Sequence, residues 1–82
     1  MNERFIRYKD QEIVRIDKIL RVKCEYKARG AITWYSILFE LESSLTIYWY
    51  FKQYKEERDR VYESICTLLS FDLTDASKMN LL

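Results

Sequence analysis

The 82-residue chain has no histidine and no proline, one glycine (Gly30) and two cysteines (Cys24 and Cys66). Each scarcity narrows the chemistry. Without histidine there is no side chain that ordinarily changes charge near neutral pH, no imidazole for a metal, and no Ser–His or Cys–His nucleophile pair. Cys24 and Cys66 match no metal or redox spacing. A structural zinc ion would need two carboxylates beside them, an unusual donor set. The two thiols are read as small apolar side chains, reduced and buried. One glycine leaves no Gly-rich phosphate loop, and the carboxylates do not follow a calcium-loop pattern. Scarce Gly and Pro also argue against a linker-rich or disordered chain. No apolar run is long enough to span a bilayer. The start, MNERFIRYKD, is charged throughout and lacks the apolar stretch of a secretory signal. The expected location is the cytoplasm, or a host's cytoplasm if the gene is viral.

Aromatic side chains, by contrast, are plentiful: seven Tyr, four Phe and two Trp. The net charge of +1 predicts no strong global pull toward nucleic acid or acidic membrane. Its distribution is uneven, with residues 1–30 at net +4 and residues 31–51 at net −2. A chain of this length makes one domain, and its own core gives modest stability, so self-association is a common remedy.

Residues 3–8 and 12–16 read as two short strands around a polar turn at Lys9-Asp10-Gln11. Both Phe5/Val14/Ile16 and Ile6/Tyr8/Ile13 look apolar, which leaves the register of that hairpin open. Asp17-Lys18 is a turn, helical in one reading. From Ile19 to Ala28 the chain alternates, Leu20, Val22, Cys24 and Tyr26 against Arg21, Lys23, Glu25 and Lys27, as a half-buried strand does. A two-residue turn at Arg29-Gly30 pairs Cys24 with Tyr35 and Val22 with Ile37, keeping apolar partners on one face. Strands 31–41 and 45–51 follow. A two-residue loop at Ser43-Ser44 would mix their faces. A three-residue loop over Glu42-Ser43-Ser44 pairs Leu41 with Leu45 and Phe39 with Ile47, so an odd loop or bulge is expected. Residues 54–69 carry Tyr54, Val61, Ile65 and Leu68 at helical spacing beneath a charged face.

The fold expected is α+β: one bent antiparallel sheet of about five strands, a partial barrel, followed by one C-terminal amphipathic helix. Residues 1–69 form the domain. Residues 70–82 form a tail, either a short helix from Thr74 or a frayed end. The expected core comprises Leu20, Val22, Cys24, Tyr35, Ile37, Phe39, Ile47, Trp49, Val61, Ile65 and Leu68. This order of elements resembles the small PH-like partial barrels. The resemblance is one of element order, so it implies a fold and carries over no functional residue.

The carboxylate pairs Glu40/Glu42 and Glu56/Glu57 read as solvated charges and helix-dipole complement, so no enzyme, cofactor or metal is expected. The functional signal is the outer sheet face, with Arg21 and Lys23 along one side and Trp34, Leu38, Tyr48 and Tyr50 in the middle. Large exposed apolar patches mark contacts, and Tyr, Trp and Arg dominate protein interfaces. The expected function is a non-enzymatic protein-binding module that works by occupying a partner's surface, homodimeric, of the kind a phage or mobile element uses to modulate a host machine. Two alternatives stand beside it. In one, Phe71, Leu73, Met79 and Leu81 of the tail fold back over the patch, or the barrel closes over it. In the other, the face binds single-stranded nucleic acid, with aromatics on bases and Arg21, Lys23 and Lys27 on phosphates.

Overall fold

A computed structural model describes residues 4–72. Two short strands, β1 (Phe5–Ile6) and β2 (Val14–Arg15), form an antiparallel hairpin, and a 3₁₀ turn over Ile16–Lys18 leads out of it. Three further strands, β3 (Ile19–Arg29), β4 (Ile32–Leu41) and β5 (Thr46–Tyr50), make a second antiparallel sheet in that order. One helix, α1 (Lys55–Asp72), follows. The order of strands and then helix is as expected, but the sheet is not. The five strands divide into a two-stranded and a three-stranded sheet, and no barrel closes among the described residues. Of the expected tail 70–82, residues 70–72 continue α1, and residues 73–82 lie outside the described residues.

The first hairpin takes the Ile6–Val14 register, with Ile6, Val14 and Ile16 buried and Phe5 and Ile13 exposed. Its apolar face joins the inner face of the large sheet. There Ile37, Phe39, Leu41, Ile47, Trp49 and Phe51 form one core with Ile65 of the helix, and Tyr35, Val22, Val61 and Leu68 pack around it. Phe39 meets Trp49 edge-on at 4.8 Å, and Tyr8 lies 6.1 Å from Trp49 and 5.7 Å from Phe51. The indole N–H of Trp49 donates to the Glu12 carbonyl oxygen at 2.6 Å, which ties the separate hairpin to the sheet.

The β4–β5 connection is the expected three-residue loop. Residues 42–44 make a 3₁₀ turn, Leu41 N–H donates to Leu45 O, and Phe39 stands opposite Ile47. Ser43 and Ser44 both take positive φ, which lets so short a loop reverse the chain.

The β3–β4 hairpin has the right faces and a register two residues from the one expected. The turn is Gly30-Ala31, so Cys24 stands opposite Ile37 and Tyr26 opposite Tyr35. Alternation has a period of two, so two registers two residues apart present the same faces. The backbone decides between them. Gly30 has φ +60° and occupies the first central position, where a type II′ turn requires positive φ. Two core assignments fall with the register. A bulge between Ile19 and Arg21 turns Leu20 outward, 68% exposed, and Ile19 takes the inward place opposite Leu41. Cys24 is exposed and Cys66 half-buried, with no disulfide between them, so they are not the buried pair expected. From Val22 round to Ser36 no residue is fully buried, because the hairpin tip runs beyond the core.

Candidate partner-binding face

The outer face is built from cross-strand rows. Lys23, Leu38 and Tyr48 form one row, and Glu25, Ser36 and Tyr50 the next. Arg21, Glu40 and Thr46 lie on one side of these, and Lys27 and Trp34 on the other. The alternation that sends Ile37, Phe39 and Trp49 into the core sends these side chains outward. The structure therefore places all six expected site residues, Arg21, Lys23, Trp34, Leu38, Tyr48 and Tyr50, on one sheet surface.

Their exposures differ. Trp34 is 43% exposed, Tyr48 40% and Tyr50 64%, whereas Leu38 is only 6% exposed. Leu38, flanked by Lys23 and Tyr48, is thus the floor of the face, and the aromatics are its walls. Tyr48 and Tyr50 stack with ring centroids 5.8 Å apart. Ser36, a small residue amid larger ones, leaves an open depression of about 460 Å³ bordered by Glu25, Lys27, Trp34, Tyr48 and Tyr50.

The basic side is mostly neutralised from within. The Arg21 guanidinium meets the Glu40 carboxylate with two hydrogen bonds, of 2.9 and 3.0 Å. Lys23 Nζ lies 3.6 Å from Glu25 and 3.9 Å from Glu40. Arg21 holds the Glu40 carboxyl below the usual carboxylate range. Among the described residues Lys27 makes no ion pair and borders the depression as a free cation.

Three features escaped the reading of the sequence. Arg58 is buried, 6% exposed, on the helix face toward the sheet. Its Nη1 donates to the carbonyl oxygens of Glu25 (2.8 Å) and Ser36 (3.2 Å), its Nε donates to Asp59 (2.8 Å), and its guanidinium stands over the Tyr35 ring. A signal was present: Arg58 continues the spacing of Tyr54, Val61, Ile65 and Leu68, so it is a charge on the apolar stripe. Its hold on Glu25 and Ser36 fixes the backbone directly beneath the outer depression.

The second feature is Gln11. Its side-chain amide donates to Tyr50 O at 2.6 Å and accepts from Tyr50 N–H at 3.1 Å, as a neighbouring strand would. This closes the β5 edge beside the aromatic walls. Gln11→Ala is expected to cost about 1 kcal/mol and to increase aggregation through the reopened edge. Urea unfolding combined with light scattering checks both, and an unchanged midpoint with no added scattering contradicts the capping role.

The third feature is the tie between the hairpin loop and the helix. The Tyr8 hydroxyl and the Lys9 ammonium both donate to Glu57, and together, the hydroxyl first, they hold its carboxyl below the usual carboxylate range. Asp59 is held low by Lys55 and then by Arg58. Carboxyls depressed in the native state contribute stability that is complete above the unfolded values and is lost as pH falls through the native ones. Unfolding free energy is therefore expected to be flat from neutrality down to about pH 5 and to fall below about pH 4.5. Glu57→Gln is expected to reduce the slope. A stability that does not change between about pH 5 and about pH 3 contradicts these pairings.

Among the described residues no three Cys, Asp or Glu side chains gather as a metal site, and no helix is long and apolar enough to cross a membrane. Comparison with protein-family models, with curated proteins and with solved structures finds no match to this chain.

Proposed function

We propose that this chain is a non-enzymatic protein-binding module, homodimeric and cytoplasmic, whose outer sheet face takes a partner protein by surface occupation. One observation carries the reading. Trp34, Tyr48 and Tyr50 stand exposed around a depression on the face opposite the core. Rigid aromatics bordering a concave surface are the side chains that most often anchor a protein interface. The self-paired charges of Arg21, Glu40, Lys23 and Glu25 would form its polar rim. The PH-like affinity belongs to the same proposal, supported by the order of strands before helix, as does a role as a phage or mobile-element modulator of a host machine.

The test is retention of a partner by the immobilised chain, set against Trp34→Thr/Tyr50→Thr. Threonine keeps the strand preference while removing the aromatic anchors. A specific partner held by the wild type is expected to bind about tenfold more weakly, or worse, to the double variant. Equal retention by both overturns the assignment of the face. Short single strands are expected not to shift in a gel. A shift that weakens as salt rises and is lost with Trp34→Thr would transfer the face to nucleic acid.

A further inference from the structure

We infer that two copies of this chain join edge to edge through β3, in antiparallel register about a dyad at Cys24, leaving both outer faces free on the same side of one continuous sheet. The inference rests on the dimeric reading above and says where the dimer forms.

Three observations carry it. The first is the hydrogen-bond alternation. Tyr35 and Leu41 use their N–H groups toward β5, so the even-numbered residues of β4 face β3. Their partners are Arg21, Lys23, Glu25 and Lys27. The intervening residues Val22, Cys24 and Tyr26 therefore direct N–H and C=O away from the sheet. Among the described residues no hydrogen bond reaches these groups.

The second is the contrast with the other edge. β5 is capped at Tyr50 by Gln11, whereas β3, the longest strand at 11 residues, has no such cap among the described residues. The helix packs chiefly over β4 and reaches β3 through Arg58, which bonds the inward-directed Glu25 carbonyl and not the outward groups of Val22, Cys24 and Tyr26. An open strand edge is a template for another strand unless something blunts it.

The third is charge, which suits a second copy as occupant and favours the Cys24 register over dyads at Val22, Lys23 or Glu25. With the dyad at Cys24, Lys23 of each copy lies opposite Glu25 of the other. A dyad at Lys23 opposes Lys23 to itself. One at Glu25 opposes Glu25 to itself and Lys23 to Lys27. One at Val22 opposes Arg21 to Lys23. The Cys24 register does place Arg21 opposite Lys27, but Arg21 is already neutralised by its two bonds to Glu40. The same register sets Tyr26, 72% exposed, against half-buried Val22, a favourable aromatic–β-branched cross-strand pair. The dyad stands perpendicular to the sheet, so the two sets of Trp34, Tyr48 and Tyr50 face the same way and a symmetric partner is gripped twice.

Size exclusion with light scattering tests this on the whole chain. The wild type is expected at twice the chain mass of 10.1 kDa. Lys23→Glu and Glu25→Lys, each shown to be folded by circular dichroism, are each expected at once that mass, because each opposes like charges twice across the dyad. Mixed in equal amounts, the two variants are expected to return to the dimer mass. The carboxylate introduced at position 23 of one copy then meets the ammonium introduced at position 25 of the other, and the native Glu25 meets the native Lys23. A wild-type monomer, a single variant that stays dimeric, or a mixture that stays monomeric overturns the inference. If a charge variant does not fold, Cys24→Pro removes one outward N–H on an edge strand that tolerates proline. It is expected to be a folded monomer, and a dimer overturns the inference. Trp34→Thr/Tyr50→Thr is expected to remain dimeric. If it is monomeric while Lys23→Glu is dimeric, the copies meet through the outer face instead, and the β3 assignment fails separately from the partner-binding reading.

Discussion

Trp49→Ala is expected to lower the unfolding free energy by about 4 kcal/mol, the middle of the range for large-to-small aromatic changes in a core. Trp49 is 1% exposed at the centre of the inner face, between Phe39 and Tyr8. Its removal opens a cavity that β4, β5 and the first hairpin all border. It also deletes the bond to the Glu12 carbonyl, one of the few ties between the two sheets. A domain of this length has about 4–12 kcal/mol of stability in all, by the usual per-residue figure, so the change removes between about a third and all of it. Trp49→Phe separates the two contributions. It keeps most of the packing and loses the indole donor, and is expected to cost about 1–2 kcal/mol. Circular dichroism in a urea series reads both. A Trp49→Ala variant as stable as the wild type would remove the inner-face core from the account.

Arg58→Ala is expected to cost about 3 kcal/mol, since hydrogen bonds from a charged donor contribute about 1.5–3 kcal/mol. The change removes the donors to Glu25 O and Ser36 O and the cation over the Tyr35 ring. Those two carbonyls belong to residues paired across the β3–β4 ladder, so they need not be left wholly without a donor. The cost should come mainly from the lost anchor and from lost packing of the side-chain stem. Arg58→Met keeps the stem and loses the donors, so it is expected to fall about midway between wild type and alanine in the same units. Arg58→Lys keeps the charge but cannot span Glu25, Ser36 and Asp59 with one planar group, and is expected to recover only part of the loss. Urea midpoints order the four proteins. If Arg58→Ala unfolds with the wild type, the helix is held by its apolar residues alone.

The division of the chain into faces was legible in the sequence, because alternation is a local property. Ile37, Phe39, Ile47 and Trp49 could be assigned inward, and Trp34, Tyr48 and Tyr50 outward, from parity alone. The odd β4–β5 loop followed from the same reasoning. Parity could not set the β3–β4 register, since a slip of two residues preserves every face. It could not foresee the bulge that expels Leu20, a backbone event that no side chain announces. The separation of the first hairpin was hidden for a different reason. What joins it to the sheet and helix is a set of single long-range bonds, from Trp49 to Glu12, from Gln11 to Tyr50 and from Tyr8 to Glu57, with no periodic signature. Arg58 was hidden because helical charges are usually solvated. Its place on the apolar stripe was the clue that it is not.

In the proposed function the inner face of the sheet folds the chain and the outer aromatics are surplus to folding. The most direct measurement of that claim is the unfolding free energy of Trp34→Thr/Tyr50→Thr in urea beside the wild type. The expected result is a loss of no more than about 1 kcal/mol, as for exposed substitutions that keep strand preference. A loss approaching that of Trp49→Ala would show the outer aromatics to be structural and would contradict the account.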